Sequence, residues 1–302
     1  MKTILVTGGT GMIGRHVLEP LVNEGFNVYA TCITEDTPNI RGVIWIKCNL
    51  LNATEDEFKT LIKNIKPTHL MCLAWCTTGT YLKSTLNELF YYSTLSLIRI
   101  AVKHTCKRVV VAGTCFEYDF TKCGFKSKIL ENHPTVSDTL YSLYKLKLLE
   151  DAETICKKYN ASFAYGRIFY AFGYPSEKYI VTMIKNALRS KDILICGKIF
   201  KYDYIYTKDI AKAFTKLANS NVKGIVNISS GKGIDLETLA KCIINLTNSS
   251  SKIIDDEKYV PIYNVIGDNF KLINDVEFTP EYTLHSALIE MIDQIEKDLY
   301  VQ

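Results

Sequence analysis

The chain of 302 residues has no apolar run near the roughly 20 residues that a membrane-spanning helix needs. Runs such as Val109–Ala112 fall far short, so no membrane association is expected. Met1-Lys-Thr leads straight into the first strand-like segment, so no cleavable leader and a cytoplasmic location are expected. Charge of one sign gathers nowhere. Lys+Arg number 36 against 32 Asp+Glu, a net charge of +4, and lysines interleave with glutamates, so nucleic acid is not an expected partner. None of the 10 cysteines stands in a C-x-x-C pair; Cys72 with Cys76 and Cys115 with Cys123 have the wrong spacing for zinc, and no metal is expected. Isolated Cys32, Cys48, Cys106 and Cys196 read as small buried residues of a reducing compartment. Repeats and low-complexity segments are absent too. With 47% apolar and 23% charged residues, the chain can build one large domain or two unequal ones.

What is present begins at Lys2-Thr-Ile-Leu-Val-Thr-Gly-Gly-Thr-Gly-Met-Ile-Gly14, an apolar strand-like run that ends in a glycine loop and opens onto a helix-like segment. Glycines at 8, 11 and 14 let backbone approach a pyrophosphate with no Cβ in the way. The N–H groups at the start of the following helix, around Met12, Ile13 and Gly14, would point at the anion, with the helix dipole adding to the attraction.

Far downstream stands Tyr141-Ser-Leu-Tyr-Lys145 in a segment that reads as a helix. Residues four apart share a helix face, so the Lys145 ammonium can lie beside the Tyr141 phenol and a cofactor ribose together. A neighbouring cation favours phenolate, and such a tyrosine can exchange a proton with a carbonyl or alcohol oxygen while a nicotinamide exchanges hydride. Between the two motifs, the buried-type strand Arg108–Ala112 runs into Gly113 and Thr114. A hydroxyl at the carboxyl end of a parallel strand faces the crevice where open α/β sheets bind ligands, so Thr114 completes a candidate triad with Tyr141 and Lys145.

In that order the glycine loop, the strand-end Thr and the Tyr-x-x-x-Lys pair resemble the extended short-chain dehydrogenase/reductase family, in its group of nucleotide-sugar epimerases, dehydratases and ketoreductases. Arg167–Gly173, Tyr202–Ala211 and Gly224–Gly231 look like that family's substrate-side landmarks. The resemblance implies a nicotinamide dinucleotide as cofactor and a nucleotide sugar as substrate. It also implies that Leu73 and Ala74 line the nicotinamide side, that Asn49 and Leu50 lie at the adenine, and that the long helices Thr85–His104 and Thr139–Tyr159 pair in a homodimer. Leu146 and Leu149 are apolar residues that either such an interface or the sheet would bury.

Departures from the family pattern narrow the chemistry. Where the family's 4,6-dehydratases carry Asp-Glu after the strand-end Thr, this chain has Cys115 and Phe116, which argues against elimination of water. The cysteine of the 3,5-epimerase/reductases falls on Phe116, one residue past Cys115. What remains is chemistry at one carbonyl: reduction of a 4-keto sugar, with C4 epimerisation as the alternative and a non-catalytic NADP-binding protein as a second one. The end of the second strand near Cys32 has no carboxylate for a ribose 2′-OH, which favours NADP over NAD, with Arg15 and Arg41 as candidates for a 2′-phosphate. On the substrate side Tyr170 and Tyr202 replace the family's Asn and Arg, placing the diphosphate clamp in doubt unless Lys198, Lys201 or Arg189 substitutes. Trp75, Thr77 and Glu117 are expected to border the crevice.

Apolar strands at 3–7, 27–31, 43–47, 68–73, 108–113 and 162–168 alternate with helical segments, which predicts an α/β fold with a doubly wound parallel (Rossmann) sheet. The division expected is 1–168 for cofactor binding and 169–302 for a smaller substrate domain. Helices are expected there at Val181–Arg189, Leu236–Leu246 and Thr283–Leu299, with residues 202–230 partly returning to the main sheet through Ile225–Ile228.

Overall fold

A computed structural model describes residues 2–124, 127–175, 179–255 and 263–300. The strands are β1 (Thr3–Thr7), β2 (Asn27–Cys32), β3 (Val43–Lys47), β4 (His69–Cys72), β5 (Arg108–Thr114), β6 (Ser162–Ile168), β7 (Tyr170–Phe172), β8 (Ile193–Ile195), β9 (Lys201–Tyr202), β10 (Tyr204–Tyr206), β11 (Gly224–Ile228), β12 (Ile234–Asp235) and β13 (Ile253–Asp255). The helices are α1 (Gly14–Asn23), α2 (Glu55–Ile65), α3 (Leu86–His104), α4 (Leu140–Lys158), α5 (Tyr179–Leu188), α6 (Thr207–Asn219), α7 (Leu236–Leu246), α8 (Phe270–Asn274) and α9 (Leu284–Tyr300).

Seven strands form one parallel sheet in the order β11-β6-β5-β4-β1-β2-β3. This is the doubly wound arrangement the alternation predicts, with the order reversing between β1 and β4. Its inner strands are buried on both faces because helices cover both, while the edge strand β3 stays partly exposed. Ile4 and Val6 of β1, with Val110 and Ala112 of β5, pack on one side with Val17, Leu18 and Leu21 of α1 and Ile210 and Phe214 of α6. Leu5, Val109 and Val111 point the opposite way, toward Phe58 and Ile62 of α2, Leu97 and Ile98 of α3, and Leu148 and Ala152 of α4. The period of two along each strand therefore sorts the apolar residues between the layers. Leu149 belongs to this second core and not to an outer face, while Leu146 is partly exposed.

The expected return of Ile225–Ile228 is seen as β11, parallel to β6 with Val226 opposite Gly166. The rest of the C-terminal half builds a third core from α5, α7, α9 and the strand pairs β8–β13, β7–β10 and β9–β12. Two buried aspartates tie it together. Asp203 accepts from Ser230 N (2.8 Å), Gly231 N (3.0 Å) and Gly267 N (3.1 Å); Asp209 on α6 accepts from Glu281 N (2.9 Å) and Tyr282 N (3.1 Å), fixing the approach to α9. No helix among the described residues is long and apolar enough to cross a membrane.

Candidate active site

The carboxyl ends of β1, β4 and β5 meet at the reversal of strand order, where open α/β sheets form their ligand crevice. Thr114 is the last residue of β5, and its Oγ1 accepts from Phe116 N at 3.3 Å, which turns the chain into a short 3₁₀ segment. Opposite it, α4 starts at a capping box: Thr139 Oγ1 accepts from Ser142 N (3.0 Å) and Thr139 N donates to Ser142 Oγ (3.1 Å). The cap holds Tyr141 in the first turn and Lys145 one turn further on, on the buried face. The structure brings the candidate triad together: the Thr114 side chain lies near enough to the Tyr141 phenol to favour its phenolate, and Lys145 follows one turn along α4.

The electrostatics differ from the sequence expectation. Burial dominates at Tyr141 and pushes its phenol above the ordinary range, because the phenolate would lose its hydration. Lys145 does not reverse this: its Nζ donates to Ala112 O at 2.7 Å and lies 5.9 Å from the centre of the Tyr141 ring. Burial also pushes Lys145 down to about 7, against smaller opposing effects of Glu117 and Cys72. In this state the tyrosine is a proton donor.

Glu117 does not border the crevice as expected. It is fully buried, with Oε2 paired to Arg167 Nε at 2.7 Å and Oε1 accepting from Tyr165 OH (2.8 Å) and Thr114 N (2.9 Å). Both oxygens are spent on holding the end of β5 to β6. Cys115 is buried as well, which pushes its thiol up and away from thiolate.

Trp75 and Tyr81, in the segment after β4, complete the surroundings. The Lys145 ammonium lies 3.8 Å from the Trp75 ring centre, and the Tyr81 ring meets Tyr141 edge-on at 5.0 Å. Tyr81 carries no motif that could have marked it in the sequence. Thr77, in the same segment, is partly buried and makes no hydrogen bond to the triad. Tyr170 opens β7, partly exposed, and packs edge-on against Tyr202 (5.0 Å) and Phe116 (5.8 Å). The two tyrosines that replace the family's Asn and Arg thus lie ring against ring. Lys198 is paired with Asp255 at 3.3 Å, and Arg189 and Lys201 are exposed.

The glycine loop fits a dinucleotide phosphate. Gly8 has φ +74° and passes so close to the β4 end that a Cβ would lie 2.8 Å from Ala74 Cα, while a Cβ on Gly14 would meet Gly8 O at 2.0 Å. Gly11 N donates to Gly8 O (3.0 Å), whereas the N–H groups of Met12 and Ile13 have no backbone acceptor among the described residues. The first turn of α1 carries no acidic side chain that would repel an anion. Arg15 turns back onto Thr10 O (2.9 Å) and Gly11 O (3.4 Å), and Arg41 is exposed. Leu73 N and Ala74 N bond to Thr7 (3.3 Å each), setting those residues beside the loop. Asn49 Oδ1 accepts from Leu51 N at 3.1 Å and so closes its own turn; Leu50 beside it is buried.

Comparison with known proteins places the family and the fold. The profile of the NAD dependent epimerase/dehydratase family matches residues 4–229. The UDP-N-acetyl-alpha-D-glucosaminuronate decarboxylase of Bacillus cytotoxicus is 27% identical over 84% of this chain and 83% of its own length. The dTDP-6-deoxy-L-talose 4-dehydrogenase (NAD(+)) of Aggregatibacter actinomycetemcomitans is 25% identical over 87% and 94%. In fold, the UDP-glucose 4-epimerase of Thermotoga maritima superposes with a TM-score of 0.85, at 19% identity, over 98% of this chain and 99% of that one. From the glycine loop of β1 to the strand β11 that closes the sheet, the chain belongs to the NAD dependent epimerase/dehydratase family.

Proposed function

We propose that the protein reduces the 4-keto group of a nucleotide-linked deoxysugar, with Tyr141 giving the proton. The observation that carries this reading is the placement of a buried Tyr141 near the strand-end Thr114, with the Lys145 ammonium one helical turn away and 5.9 Å from the Tyr141 ring. A nicotinamide dinucleotide bound along the glycine loop would supply the hydride. Thr114 orients the reacting oxygen and Tyr141 protonates it, while the cation of Lys145 stabilises the phenolate left behind. Elimination chemistry is disfavoured because Glu117, the carboxylate nearest Thr114 in sequence, is committed to Arg167 and Tyr165. The Aggregatibacter relative, named for dehydrogenation at the same sugar carbon, supports the choice of C4.

NADP is the cofactor this reading prefers. Cys32 ends β2 without a carboxylate, its thiol directed at Ile46 O (3.5 Å), and Glu35 further along is paired with Lys47 at 3.0 Å. A homodimer is part of the same reading, since α3 leaves Leu86, Leu89 and Tyr92 exposed beside α4.

The test follows the absorbance of NADPH or NADH in the presence of purified protein and a panel of nucleotide-linked 4-keto-6-deoxysugars. Stoichiometric oxidation with one of them, faster with NADPH, is expected. Interconversion of nucleotide sugars at C4 without net oxidation would replace the reductase by an epimerase. Cofactor binding with no turnover of either kind would leave a binding protein.

A further inference from the structure

A buried ammonium needs a counterion or a substitute for water, and Lys145 has no ion pair among the described residues. The nearest carboxylate acting on it, Glu117, is bound to Arg167, Tyr165 and the Thr114 amide. One Lys145 proton goes to Ala112 O. Among the described residues its nearest other partner is the indole of Trp75, 3.8 Å from ammonium to ring centre and well inside the range of a cation–π interaction, with the Tyr141 ring further off at 5.9 Å.

That indole is held rather than left to drift. Trp75 Nε1 donates to Asn87 Oδ1 at 2.7 Å, and Phe90 stacks on the ring at 5.5 Å. Asn87 is 1% exposed, and its Nδ2 donates to Tyr81 O (2.7 Å) and Ser84 O (2.8 Å). Since the Tyr81 ring lies edge-on to Tyr141, one chain of contacts runs from Lys145 through Trp75, Asn87 and Tyr81 to the phenol. The asparagine satisfies the indole N–H, as packing alone would require, and fixes the ring's orientation; the cation on its face is what packing alone does not require.

We propose that Trp75 is a positioning residue that keeps Lys145 charged and aimed in the dry interior, in place of the carboxylate that the site lacks. This rests on the reading of Lys145 as the partner of Tyr141. The groups that face Lys145 are Glu117 after β5, Cys72 on β4, Tyr141 on its own helix and, from β6, Tyr165, whose hydroxyl donates to Lys145 O at 3.0 Å. The active form is the ammonium, so activity falls as pH rises through the lysine's pKa. Loss of the indole destabilises the charged form and moves that fall to lower pH.

The contact can be tested without cofactor or substrate. The chain has two tryptophans; with Trp45→Phe, emission reports Trp75 alone. A pH titration of that protein should show a step in emission that Lys145→Met, in the same background, removes. An identical spectrum and pH response with and without Lys145 would overturn the proposal, whether or not the protein proves to be a ketoreductase. In turnover, Trp75→Leu should move the alkaline limb of kcat down by about one pH unit, the size a desolvated cation–π contact supports, while Trp75→Phe, which keeps an aromatic face, should restore most of it. A limb unmoved in Trp75→Leu would equally overturn it.

Discussion

Glu117 and Lys145 are both withdrawn from water at the end of β5, and the fold keeps them there in opposite ways. Glu117 sits in a closed network in which each oxygen has partners, and Arg167, itself 2% exposed, neutralises it at 2.7 Å. Lys145 sits in an open one: a single carbonyl and an aromatic face, with donor capacity left over. A closed network can only hold structure, since any ligand would have to displace a partner. An open one holds its charge less securely, as the drop to about 7 shows, but it leaves hydrogen-bonding capacity for a ribose or a reacting tyrosine.

The largest effect is expected from breaking the closed network. Glu117→Ala leaves a buried guanidinium uncompensated, takes the acceptor from Thr114 N and leaves Tyr165 OH only Lys145 O, which should cost about 3–5 kcal/mol in urea unfolding. A loss below about 1 kcal/mol would show that the network is not what fixes the strand end.

Breaking the open network should separate stability from activity. Lys145→Met should cut turnover about 10²-fold or more yet leave stability at pH 6 equal or higher, because burying the ammonium is itself costly. The pH dependence has a definite sign. The folded pKa, about 7, lies below the ordinary 10.5, so between those values the unfolded chain holds more protons and wild-type stability gains as pH rises. Thermal melts from pH 6 to 10 should show this gain in the wild type and not in Lys145→Met; parallel curves would contradict the assignment.

The parts legible in the sequence are those carried by local patterns. Alternation of short apolar strands with helices gave the sheet, and glycine spacing marked the loop at Gly8–Gly14. The Tyr141–Lys145 interval fixed one helix face regardless of what surrounds it. What escaped depends on partners distant in sequence. Glu117 reads the same whether it lines a crevice or pairs with Arg167, and Asn49 the same whether it meets an adenine or caps its own turn. Trp75 was legible as a neighbour of the crevice, but its hold on Lys145 spans two crossovers of the sheet. The Tyr141 acidity was misjudged for a related reason: motif spacing shows that a cation is near, and says nothing of how much water burial removes.

The most direct test of the account is Tyr141→Phe, read in two ways. Removing only the hydroxyl should lower turnover about 10²–10⁴-fold, while the dissociation constant of the cofactor, measured by titration without substrate, stays nearly unchanged. Turnover at the wild-type rate in that variant would contradict proton donation by Tyr141, and with it the proposed chemistry.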